Sequence, residues 1–117
     1  MERLRTFFGF VFAAGVTAVV VLSVIPGKQV PSLGISDKIE HFAAYALLGL
    51  IGALAFPTRR AAVLLIVLLP AMGLALEVAQ TVVADRSTDL ADAVANGIGA
   101  WLPLVPIVFL RLRPAKP

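Results

Sequence analysis

Asp37, His41 and Tyr45 recur at i, i+4 and i+8, a spacing that lines them along one face of a helix, with Lys38 beside them. Glu77 and Gln80 stand at i, i+3 on a second segment. Asp89, Asp92 and Asn96 run i, i+3, i+7 on a third, just after Arg86. Lys38 and Arg86 are phosphate donors, Arg bidentately, while the carboxylates and Asn96 can bond sugar hydroxyls or amines. His41 can serve as general acid or base, oriented by Asp37 or Glu77. Asp89 and Asp92 can bind a hard divalent cation. Histidine with carboxylates is a donor set compatible with a metal, but the spacing defines neither a metal nor another cofactor.

These groups are set in a chain that is 60% hydrophobic, with a mean hydropathy of +0.97, well above a soluble domain. Four apolar stretches, 7–25, 39–56, 61–84 and 90–110, each hold 18 to 24 residues. About 20 helical residues cross about 30 Å of hydrocarbon. The expected fold is an all-α integral membrane four-helix bundle, one domain over 1–117, with helices at about 7–25, 37–56, 61–84 and 89–110. With no cysteine there is no disulfide, thiol nucleophile or thiolate metal site. The first stretch has the basic start of a signal peptide in Arg3 and Arg5. Its apolar run is too long for one, however, and Pro26-Gly27-Lys28 follows with no small-x-small cleavage pattern, so a retained helix is expected.

Basic residues set the orientation. Four spans put Arg3, Arg5, Arg59, Arg60, Arg111, Arg113 and Lys116 on one side, against Lys28, Lys38 and Arg86 on the other. The positive-inside rule then places both termini in the cytoplasm. Every acidic residue except Glu2 belongs to the outer half, so the net charge of +3 divides into about +6 inside and −3 outside and is no argument for nucleic-acid binding.

Pro26 closes the first helix, Pro31 and Gly34 keep the next loop irregular, and Pro57 ends the second helix. Ser36 or Asp37 can cap the second helix, and Ser87 or Thr88 the fourth. Pro70 falls inside the third span, where neighbouring helices tolerate a kink. Tyr45, Glu77 and Asn96 then lie about 10–12 Å in from their outer helix ends. Three faces with polar groups at one depth imply a shared polar cleft, because an isolated group there costs a few kcal/mol. The pairs Gly49/Ala53, Ala75/Ala79 and Ala93/Gly97 are small enough to let backbones approach around it. The first helix, interrupted only by Thr17 and Ser23, reads as scaffold, and mid-span Trp101 as a packing residue.

The run Asp37-Lys38-x-x-His41-Phe42-x-x-Tyr45 resembles the first signature of VanZ-like membrane proteins. Glu77-x-x-Gln80, then Arg86-Ser87-x-Asp89-x-x-Asp92-x-x-x-Asn96-x-x-Gly99, is similar to the second, and Ser23-Val24-Ile25-Pro26 to the exit of that family's first helix. Ala84-Asp85 departs from it, standing where the family often has a Pro-containing turn. The family is named for a protein associated with low-level resistance to teicoplanin, a glycopeptide that binds peptidoglycan precursors outside the membrane. The resemblance implies a bacterial inner-membrane protein facing the cell envelope. It implies neither a biochemical activity nor antibiotic resistance for this chain.

Three functions fit these residues. The first is recognition of a lipid-linked or cell-wall precursor headgroup by Asp37, Lys38, His41, Tyr45, Glu77, Gln80, Arg86, Asp89, Asp92 and Asn96. The second is a small membrane enzyme, acid/base or metal-assisted, with His41, Asp37 and Glu77 as catalytic candidates. The third resembles a small multidrug-type transporter, although those rely on a Glu in the first helix that this chain lacks. Each group also has a plain structural use: Asp37 and Asp89 as helix caps, Lys38 and Arg86 as snorkelling anchors, and Glu77 paired with His41 or Arg86 to hold helices together. Membrane lipids are the expected surroundings, and the small-residue faces suit a homo-oligomer as well as a monomer.

Overall fold

The computed structural model describes residues 1–25, 36–83 and 90–112, without the side chains of Asp37 and Val83. They form four helices: α1 (Glu2–Val24), α2 (Asp37–Ala55), α3 (Arg59–Val83) and α4 (Leu90–Arg111). No strand occurs among the described residues. At 1.5 Å per residue the helices are about 28 to 38 Å long, and all four are long and apolar enough to cross a membrane. Phe10, Val67, Leu68, Val82 and Phe109 are among the many large apolar side chains that point outward. So much exposed apolar surface suits lipid and not water, and the chain is a multi-pass membrane protein.

α1 starts at Glu2, earlier than the apolar run predicts, because Arg3, Leu4 and Arg5 are good helix formers and the Arg5 N–H bonds the Met1 carbonyl at 3.0 Å. No residue of α1 is buried. It packs chiefly on α2, through Phe12 against Phe56 and Gly52 and through Gly15 against Leu48. The hydroxyls of Thr17 and Ser23 donate to the carbonyls of Ala13 and Val19 one turn back, so neither leaves an unbonded hydroxyl in lipid. α1 is a scaffold helix.

Side-chain caps begin the next two helices. Ser36, of the two expected candidates, accepts from the Ile39 N–H at 3.3 Å, and Thr58 accepts from the Ala61 N–H at 3.1 Å. The candidate caps Ser87 and Thr88, like Pro26, Pro31 and Gly34, lie outside the described residues.

The most extensive pairing is α2 with α4, and two ties fix its direction. Near the helix starts, Lys38 Nζ lies 3.6 Å from Asp92 Oδ1. At the far ends, the Arg111 guanidinium donates to the carbonyls of Ala53 (2.7 Å), Thr58 (2.9 Å) and Phe56 (3.2 Å). α2 and α4 therefore run parallel. Arg111 brings positive charge to the C-terminal end of α2, where free carbonyls concentrate negative charge.

Close approach comes from single glycines. A Cβ at Gly49 would stand 2.8 Å from the Ala100 carbonyl oxygen, and one at Gly99 would overlap the Phe42 carbonyl. This corrects part of the small-pair expectation. Gly49 and Ala53 are buried at the interface, but Ala75 faces outward, and Gly73 is a small residue that admits neighbours to α3. Spacing alone does not say which face of a helix is inward.

Trp101 joins α4 to α3. It is 46% exposed, and its Nε1–H donates to the Ile66 carbonyl of α3 at 2.9 Å. Ile66 is four residues before Pro70, which has no N–H to give it. The indole supplies the missing donor and pins α3 to α4.

Candidate functional site

α3 runs opposite to the parallel pair, so its last turns meet the first turns of α2 and α4. Glu77 and Asn96 each lie six residues from the nearer end of their helix and Tyr45 lies eight, or about 9 Å and 12 Å of rise. Four of the sequence candidates are buried here: Tyr45, Glu77 (2% exposed), Gln80 and Asn96 (3% exposed). α2 is the most polar span, with a mean hydropathy of 1.3 against 2.4 for α1 and α3. That difference reflects what it carries into the site.

His41 of α2, Glu77 of α3 and Asp92 of α4 converge most closely. Each presents one ligand atom, and the three atoms lie within 4.8 Å of one another. Glu77 is buried, while His41 and Asp92 are half-buried, Asp92 beside Lys38. The Lys38 side chain is 55% exposed, so the ion pair with Asp92 marks the open rim of the cluster and Asp92 lies just inside. At 3.6 Å that pair is longer than a hydrogen bond, and Asp92 Oδ1 is buried without a hydrogen-bond partner.

One turn deeper, Asn96 and Tyr45 fill the space opened by Gly73. A Cβ at Gly73 would lie 3.1 Å from Asn96 Nδ2 and 3.3 Å from Tyr45 Oη. Gly73 precedes Glu77 by one turn on the same face, so Tyr45 and Asn96 form the floor beneath the three ligand atoms. Asn96 Oδ1 is a second buried oxygen with no hydrogen-bond partner. Buried polar atoms are bonded in the great majority of cases, and two such oxygens one helical turn apart single out this pocket.

An apolar groove adjoins it. Lys38, Ile39 and Phe42 of α2 and Ala91, Val94, Ala95 and Ile98 of α4 line an open cavity of about 430 Å³. Lys38 belongs to both groove and cluster. A larger open cavity, about 630 Å³, lies at the opposite end of α2 beside Glu2, Arg5 and Phe56, away from every candidate residue.

Six of the ten candidates, Lys38, His41, Tyr45, Glu77, Asp92 and Asn96, are thus brought together, with Gln80 buried one turn from Glu77. Arg86, Asp89 and the Asp37 side chain lie outside the described residues. The cation-binding carboxylates expected from sequence were Asp89 and Asp92, whereas the described geometry groups Asp92 with Glu77 and His41. Gly73, Phe42 and the groove were missed. Gly73 could have been found by continuing the Glu77 face one turn inward. The groove had no sequence signal, since it depends on how α2 and α4 pack. No protein-family model, curated protein or solved structure matches this chain.

Proposed function

We propose that the chain is a VanZ-like protein of the bacterial cytoplasmic membrane, with both termini in the cytoplasm. In this reading it recognises the headgroup of a lipid-linked or cell-wall precursor in the outer leaflet. The observation that carries it is the position of Lys38, which lines an apolar groove on one side and pairs with Asp92 of the polar cluster on the other. A lipid phosphate at Lys38 leaves the hydrocarbon chain in the groove between Phe42 and Val94. Sugar or amine groups then extend toward Asp92, Asn96 and Glu77. The resemblance supports the same assignment, because residues from both of its halves, His41 and Tyr45 from the first and Glu77, Asp92 and Asn96 from the second, meet in one pocket.

The test is native mass spectrometry of the detergent-purified chain beside a Lys38→Ala/Phe42→Ala variant. A phosphorylated polyprenyl or other anionic lipid on the wild type, and lost from a variant of equal thermal stability, is the expected result. Equal lipid occupancy in both would refute this placement of the lipid. A metal-assisted membrane enzyme is the second reading, favoured by the convergence of His41, Glu77 and Asp92.

A further inference from the structure

We propose that His41, Glu77 and Asp92 form a zinc-class divalent metal site, with the Asn96 amide oxygen beneath it accepting from a metal-bound water. The site deepens the headgroup reading, because a bound cation offers an open position to a phosphate oxygen. Metal binding itself requires no lipid.

Four observations carry the proposal. First, the donors come from three helices and lie within 4.8 Å of one another. Metal–ligand bonds of about 2.1 Å at tetrahedral angles hold donors about 3.4 Å apart, so the widest pair needs to close by at most about 1.4 Å, within side-chain rotation. Second, Asp92 Oδ1 and Asn96 Oδ1 are buried without hydrogen-bond partners, and Asn96 is 97% buried against the Gly73 face that also carries Glu77. A cation, or a water bound to it, satisfies both oxygens. Third, two carboxylates balance the charge of a divalent cation, which leaves the Lys38 ammonium at the rim to pair with a phosphate. Fourth, the site is not sealed, since the Asp92 side chain is 15% exposed beside Lys38, whose own side chain is 55% exposed.

The donor types narrow the metal. One imidazole with two carboxylates suits zinc, manganese or ferrous iron and gives no thiolate preference for copper(I). Three protein ligands and an open position are the pattern of a catalytic or ligand-exchanging zinc site, whereas structural zinc sites are closed by four.

His41 is the chain's only histidine, which permits a test needing no mutation. The full chain, purified without a histidine tag and stripped with EDTA, is titrated with zinc sulfate. The bound metal is then counted by plasma mass spectrometry and its shell read by X-ray absorption. One zinc per chain with a single imidazole in a shell of oxygen donors is expected. No retained zinc, or zinc with no imidazole scattering, overturns the site. His41→Ala and Asp92→Asn, where folded, should each weaken zinc by at least about tenfold, and undiminished binding in either overturns it equally. Lipid retention measured on the zinc-free protein separates the two proposals. Lipid bound without any zinc affinity removes the metal site alone, and zinc bound without lipid removes the headgroup reading alone.

Discussion

Trp101→Phe removes one hydrogen bond, and Pro70 determines what that bond is worth. Interhelical hydrogen bonds in membranes average only about 0.6 kcal/mol, with a maximum near 1.7, because the separated helices also find partners. The Ile66 carbonyl does not, because Pro70 withholds its partner within α3 whether or not α4 is docked. The 2.9 Å bond from Trp101 therefore should fall at the top of that range, about 1.5 kcal/mol, or about tenfold in the unfolding constant. Lost packing adds little, since Trp101 is 46% exposed to begin with. Pro70→Ala restores an N–H to Ile66, so Trp101→Phe in that background should cost under about 0.5 kcal/mol. The assay is a double-mutant cycle on unfolding free energy, measured by steric trapping in bicelles, with an expected coupling of about 1 kcal/mol. Equal costs of Trp101→Phe in the two backgrounds would refute the pairing of indole and orphan carbonyl.

Arg111→Lys should destabilise by about 1.5–3 kcal/mol, because one ammonium cannot reproduce a fork that reaches three carbonyls; urea or SDS unfolding would show it, and a neutral result would make the clamp incidental. Gly99→Ala forces the α2 and α4 backbones apart where they are closest, with an expected loss of about 1–3 kcal/mol and reduced lipid retention. Asn96→Leu replaces a buried oxygen that lacks a hydrogen bond with a side chain of similar size. Thermal stability should hold or rise while zinc affinity falls by about tenfold, whereas a clear drop in melting temperature would make Asn96 structural. A reporter fused after Pro117 should read cytoplasmic, and a periplasmic signal would turn the site to the inner face.

Helical periodicity and span length made much of this arrangement legible. His41 and Tyr45 share a face because they are four apart, and Glu77, Asp92 and Asn96 fall near the same end of the bundle once the helices alternate in direction. Contacts set by rotation about the helix axes were not legible. Ala75 and Ala79 have the spacing of a packing pair, but α3 turns Gly73 and Glu77 inward and leaves Ala75 in the lipid. Arg111 counts as a topology charge in the sequence, and its role as a clamp depends on the parallel pairing that brings the end of α2 within reach. Trp101 was half legible. Pro70 announces an orphan carbonyl at Ile66, and only the docked α4 shows which donor meets it.

In the proposed function a lipid lies with its phosphate at Lys38 and its chain between α2 and α4. Photocrosslinking with a diazirine-tailed undecaprenyl phosphate, followed by peptide mass spectrometry, tests it most directly. Label should fall on Phe42, Val94, Ala95 and Ile98, be competed by unlabelled lipid and be lost in Lys38→Ala. Label spread over the outer face of α1 and indifferent to Lys38 would contradict it.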